Sequence, residues 1–181
     1  MQDGTRVLSV ESQLLVRALS GDEFALDRLL RPLLDPGYRL AYMMLGDRGA
    51  AEDAVQEAAL KSWRKLARLR QGSDPLPWFL GFVANECRNA RRSRWRRVQS
   101  LDYDERVVEA ADTSGHDPDL VRAQAALPER DRLVVVMFYY LDMSLDDISL
   151  ATGAGVSAVR SRLYRAVGVL KQQLDTRSIE R

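Results

Sequence analysis

The chain has little of what most protein chemistry requires. In 181 residues it carries one cysteine, Cys87, and one histidine, His116. A single thiol excludes a disulfide framework within the chain and suits a reducing compartment. Neither residue has companions at metal-ligand spacing, so Cys87 reads as a packing residue on its helix and His116 as a solvated loop residue. No Gly-rich phosphate loop and no nucleophile–base arrangement is present, which removes the enzyme classes built on them. No apolar run approaches the roughly 20 residues of a membrane span, and Met1 to Val10 lacks the apolar core of a signal peptide. A cytoplasmic protein is expected, with no cofactor, no metal, no membrane partner and no small-molecule substrate. Net charge is nearly absent too, since 27 basic residues stand against 26 acidic ones. Position along the chain therefore carries the information that the total does not.

What is present is helical periodicity. Leu14, Leu15, Ala18 and Leu19 open an apolar stripe at helical spacing. A second helix starts near Asp22 and carries Phe24, Leu29, Leu30, Tyr38, Ala41 and Leu45, with a kink or division expected at Pro32 and Pro36-Gly37. A third, about residues 49–69, places Val55, Ala59, Trp63 and Leu66 at steps of three and four. The run Gln71-Gly72-Ser73-Asp74-Pro75 signals a turn, and a fourth helix is expected over about 76–97. Between Gln99 and Asp119 the composition changes: Asp102, Asp104, Glu105, Glu109, Asp112, Asp117 and Asp119 face a single base, Arg106. Such a stretch buries too little apolar surface to offset its ordering entropy and reads as an acidic linker. The fold class is all-α: two small helical domains, 9–98 and 120–175, joined by a flexible linker over 99–119.

The C-terminal zone holds the sharpest pattern. Leu133 to Tyr140 is rich in Val, but the opening Leu127-Pro128-Glu129-Arg130 favours helix. Ser144-Leu145-Asp146-Asp147 starts a short helix, with Ser144 placed to accept from the Asp147 N–H and two acids at the positive dipole end. Capping explains these carboxylates without acid–base chemistry. Thr152-Gly153-Ala154-Gly155 breaks the helix, and Gly155 or Ser157 caps the next. There Val156, Val159, Leu163, Ala166, Leu170 and Leu174 form one apolar face, while Ser157, Arg160, Ser161, Tyr164 and Arg165 lie opposite, with Arg162 at the edge. A short helix, a glycine turn and a cationic second helix suit entry into a major groove. Arg can bond a guanine edge bidentately, and Ser or Arg can hold phosphates.

A second cationic zone closes the N-terminal part. Arg88, Arg91, Arg92, Arg94, Arg96 and Arg97 fall within ten residues, interleaved with Trp95 and without an acid. One or two cations would complement a helix C-terminus; six form an electrostatic footprint for phosphate. Upstream, Trp78 and Phe79 follow the loop 71–77, with Asn85 two turns on, an arrangement open to base stacking or to ordinary core packing. The third helix bears Glu52, Asp53, Gln56 and Glu57 on one side, which alone reads as a solvated first turn.

Taken together, these residues resemble an extracytoplasmic-function (ECF) bacterial RNA polymerase sigma factor of the minimal form with regions two and four. The run Ala51-Glu52-Asp53-Ala54-Val55-Gln56-Glu57 resembles the region-two motif, and by that match Asp53, Gln56 and Glu57 would contact the β′ clamp helices of core RNA polymerase. The segment Trp78-Phe79-Leu80-Gly81-Phe82-Val83-Ala84-Asn85 is similar to the entry of the −10 reading helix, so Trp78, Asn85, Arg88, Arg91 and Arg92 would meet melted promoter DNA. Leu127-Pro128-Glu129-Arg130, Tyr139-Tyr140, Ile148 and the run 159–166 are similar to region four. There Ser157, Ala158, Arg160, Ser161, Tyr164 and Arg165 would contact duplex −35 DNA, and the domain would meet the polymerase β flap. The resemblance further implies an anti-sigma factor as partner and a linker threading positively charged polymerase channels. Asp142 stands where a glycine is usual, Gly155 replaces the usual Ser cap, and Asn89 occupies a position often held by Asp. The expected function is promoter specificity for RNA polymerase, without chemistry of its own. The alternative is a stand-alone helix-turn-helix regulator with an N-terminal sensing or dimerising domain.

Overall fold

The computed structural model describes residues 10–100, residue 124 and residues 126–179. The linker acids, His116 and the side chains of residues 94–100 and 174–179 lie outside the described set. The order is α1 (Val10–Leu19), α2 (Glu23–Leu45), α3 (Arg48–Arg64), a 3₁₀ turn (Leu66–Arg68), α4 (Pro75–Ser100), α5 (Glu129–Tyr139), α6 (Leu145–Thr152) and α7 (Val156–Ile179). Among the described residues there is no strand, and no helix is long and apolar enough to cross a membrane.

The starts of α2, α3 and α4 have a local cause. The Ala25 N–H donates to Asp22 Oδ1 at 3.0 Å, and the Ala50 N–H donates to Asp47 Oδ1 at 2.7 Å. The Leu76 N–H donates to Asp74 Oδ1 at 2.8 Å, with Pro75 at the first helical position, where its missing N–H costs nothing.

Four sequence expectations are corrected. α2 runs undivided through Pro32 and Pro36. The two prolines are one turn apart, Pro32 faces solvent and Pro36 is only partly buried, so the carbonyls they leave unpaired can be hydrated. Trp63 is 54% exposed rather than part of the α3 core face. That face consists of the small residues Ala51, Ala54, Val55, Ala58 and Ser62, which let α2 and α4 approach closely and leave Trp63 outside. Phe24 is likewise exposed, beneath the Arg28 guanidinium, and Leu19 lies outside the buried stripe of α1.

Phe79, Leu80, Val83 and Cys87 run along the buried side of α4 with no exposed surface. Full burial of each large apolar side chain is worth about 1.5–3 kcal/mol, so α4 is the keel of the N-terminal bundle. One continuous core joins these residues to Leu133 to Met137 of α5, Ile148 and Ala151 of α6, and Val159 and Leu163 of α7. The C-terminal unit thus docks on the N-terminal one, through α6 on α4 and α5 on α2.

Candidate nucleic-acid interface

The turn between α6 and α7 is fixed by its own polar groups. Ser144 accepts from the Asp147 N–H at 3.1 Å and donates to Asp147 Oδ2 at 2.6 Å, so hydroxyl and carboxylate brace the start of α6. Gly153 closes α6 with φ 68°, the left-handed conformation that costs glycine least. The Ser149 hydroxyl donates to the Ala154 carbonyl at 2.7 Å across the bend. Gly155 then opens α7, accepting from the Val159 N–H at 3.0 Å. The usual serine cap is replaced here by backbone alone.

On α7, Val159, Leu163, Ala166 and Leu170 are buried, whereas Ser157, Arg160, Ser161, Tyr164 and Arg165 are exposed. Ala158 and Arg162 are half-buried at the margin. The candidate −35 residues therefore share one solvent-facing surface, except for the margin residue Ala158. Ser161 donates to the Ser157 carbonyl at 2.9 Å, which leaves its oxygen lone pairs to accept from an incoming donor.

Sequence reasoning missed the residue beneath this surface. Asp131 of α5 is buried, with its carboxylate 3.6 Å from the Arg165 guanidinium. From the sequence it reads as an ordinary first-turn acid. Nothing linear ties it to an arginine 34 positions later.

On α4, Trp78, Asn85, Arg88 and Arg92 follow one another at steps of seven, three and four, a single helical stripe. Asn85 and Arg92 are exposed and Arg88 is half-buried. Trp78 is half-buried, packed edge-on against Phe82 with ring centroids 5.0 Å apart. Arg91 departs from this stripe. It turns toward the C-terminal unit, its Nη1 buried without a hydrogen-bond partner. Arg132 of α5 is also buried, with an unpartnered Nε, and its ionisation is driven below the ordinary range by burial first and by the Arg91 charge next.

Also unforeseen was Glu86, buried on α4. Lys61 donates to its Oε2 at 2.7 Å and Asn89 at 3.2 Å, so Asn89 serves this internal pair. Asp53, Gln56 and Glu57 are exposed on α3. Gln56 lines an open groove of about 310 Å³ with Leu34, Asp35, Tyr38, Glu52 and Val55, while Glu57 lies 3.8 Å from Lys61.

Comparison with known proteins accounts for both halves. The family profile described as Sigma-70 region 2 matches residues 28–97, and that of Sigma-70, region 4 matches residues 119–168. The ECF RNA polymerase sigma factor SigL of Mycobacterium tuberculosis is 30% identical over 90% of this chain and 98% of its own length. This chain is an ECF sigma factor. The probable RNA polymerase sigma factor RfaY of Xanthomonas campestris is 28% identical over 88% of the chain, which spans 43% of that relative's length. Among solved structures, the sigma factor RpoE in complex with the anti-sigma factor NepR from Bartonella quintana superposes with a TM-score of 0.70 at 25% identity, covering 82% of this chain and 96% of that one. As an ECF sigma factor the protein confers promoter specificity on RNA polymerase, and the stand-alone regulator is not favoured. Sigma factors are in general DNA-binding regulators rather than enzymes.

Proposed function

We propose that this sigma factor, in the cytoplasm, engages core polymerase through α3, captures the melted −10 strand on α4 and reads the −35 duplex with α7. In this reading residues 9–98 form the polymerase and −10 unit, residues 120–175 the −35 unit, and the chain performs no reaction itself. Asp53, Gln56 and Glu57 offer carboxylates and an amide beside the α2–α3 groove, a surface suited to a basic, partly apolar helix pair such as the β′ clamp. Asn85 offers both a donor and an acceptor to an unpaired base edge, and Arg88 and Arg92 flank it for the phosphates. Trp78 can stack a neighbouring base. Arg160, Ser161, Tyr164 and Arg165 face a groove together, with Ser157 and Ala158 at the first turn. An anti-sigma factor and the polymerase β flap complete the set of partners.

The observation that carries the reading is the shared stripe of Trp78, Asn85, Arg88 and Arg92, which unites aromatic, amide and guanidinium groups on one helix face. In vitro transcription by core polymerase over a randomised promoter library tests it. The protein should select a bipartite promoter, and Gln56→Ala with Glu57→Ala should weaken pull-down of core polymerase. Tight, specific duplex binding without polymerase, together with an unaffected pull-down, would reject it.

A further inference from the structure

The exposed face of α7 carries two arginines in different electrostatic settings. No acid occurs in the sequence between Asp147 and Asp175, so neither Arg160 nor Arg165 has one within two turns on its own helix. Arg160 is exposed and, among the described residues, has no carboxylate at ion-pair distance. Arg165 is met from another helix: Asp131 Oδ2 of α5 lies 3.6 Å from its Nη1. A first-turn acid can serve the helix dipole from solvent, so the dipole does not account for the burial of Asp131. Its one cationic partner among the described residues is Arg165.

A carboxylate at Nη1 has two consequences. It offsets part of the guanidinium charge, which weakens non-specific attraction to phosphates and the counterion release that accompanies it. It also restrains a long side chain, leaving Nε and Nη2 as the open edge of the fork. Two parallel donors on one edge match O6 and N7 of guanine, where direction counts for more than charge. Arg160 has the opposite balance, a whole charge and no fixed direction, which suits a phosphate oxygen. We propose that Asp131 is a positioning residue that makes Arg165 the base reader of α7 and leaves Arg160 as its phosphate contact. The inference rests on the proposed reading of α7 as the −35 helix and divides the work within it. The −35 sequence is then read through an acid that itself stays buried.

The test uses the holoenzyme and two duplex promoters that share a −10 element. One is a sequence selected from the randomised library, and the other is the same sequence with its −35 element scrambled. Affinity for each is measured across a salt series. Arg165→Ala should lower the preference for the selected −35 element about tenfold, the scale of one bidentate arginine–guanine pair, with the log–log salt slope nearly unchanged. Arg165→Lys keeps the charge without the fork and should lose the preference equally. Arg160→Ala should weaken both promoters alike and reduce the slope by about 0.9, the increment for one phosphate on a duplex. Asp131→Asn keeps the shape of the side chain and frees the arginine charge. Preference should fall several-fold, while affinity for the scrambled promoter rises and the slope steepens by up to about 0.9. A merely structural role for Asp131 would weaken both promoters and leave the slope alone, and that result overturns the proposal. So does an Asp131→Asn holoenzyme that behaves as the parent, or an equal loss of slope in Arg160→Ala and Arg165→Ala. In either case, preference lost in Arg165→Ala keeps the −35 reading of α7. A parent holoenzyme without preference between the two promoters removes that reading and the proposal together.

Discussion

The Arg165 guanidinium, 62% exposed on α7, lies 3.6 Å from the Asp131 carboxylate, which is 5% exposed beneath it on α5. The buried acid holds one edge of the guanidinium, and the rest of the group stays open to solvent. Arg165→Ala therefore has two effects. It removes a proposed −35 contact, and it strands a buried carboxylate at a cost of about 1–3 kcal/mol. Urea unfolding of Arg165→Ala, Asp131→Asn and the double variant should show Asp131→Asn recovering part of the stability lost in Arg165→Ala. The coupling should be about 0.5–1 kcal/mol, reduced by solvent at the exposed arginine. Strict additivity would mean that the pair does not act as one.

A pH prediction follows from Cys87. Burial first, and then the Glu129 charge, push its thiol up to about 12, from an ordinary 9.0. The unfolded chain ionises this thiol at lower pH than the folded one, so stability is complete below pH 9 and lost as pH rises toward 12. The stability difference between parent and Cys87→Ala should fall by about 1.4 kcal/mol per pH unit within that window. Lys, Tyr and Arg titrations are common to both proteins and cancel. At neutral pH the native thiol should resist iodoacetamide and react only on unfolding. Alkylation of the folded protein at the rate of free cysteine would contradict the burial.

These two groups show where the sequence was legible. Helix periodicity, the Asp and Ser caps and the polar face of α7 are short-range patterns, and the structure places Ser144, Asp22 and Gly155 where the sequence reading did. The roles of Asp131, Glu86 and Arg132 depend on partners that only tertiary packing supplies. Trp63 failed for a related reason: a tryptophan at core spacing was read by its size, whereas the crossing helices chose alanine. The residues of the proposed −10 stripe were visible one by one, but the contact of α4 with α6 at Gly81 joins positions 70 apart and has no linear trace.

Asp142 makes a further case of local strain. Its φ is +50°, and it is the one non-glycine residue with positive φ among those described. Aspartate tolerates this region better than most residues, though glycine does so better still. Asp142→Gly should raise stability by about 0.5–1 kcal/mol, the left-handed penalty relieved less the added freedom of the unfolded chain. Asp142→Val should lower it by about 1–2 kcal/mol, because a β-branched side chain clashes with its own backbone there. Urea midpoints with unchanged slopes would establish both. Equal stability for Gly and Val would remove the strain argument.

Arg88 and Arg92 should differ from Asn85 in how salt modulates their loss. Each arginine flanks the proposed strand path and brings charge to a phosphate, and binding there releases condensed counterions. Holoenzyme binding to a −10 single-stranded oligonucleotide should weaken linearly on a log–log plot against salt. Arg88→Ala or Arg92→Ala should each reduce that slope by about 0.7, the increment for one phosphate on a single strand. Their deficit relative to parent should accordingly shrink as salt rises. Asn85→Ala removes an uncharged donor and acceptor, so its curve should lie parallel to the parent's at lower affinity throughout. The slope thus separates a phosphate clamp from a base reader without knowledge of the promoter sequence. Parallel curves for the arginine variants would place their charges away from the phosphates, and a reduced slope for Asn85→Ala would mean that its loss rearranges the whole stripe.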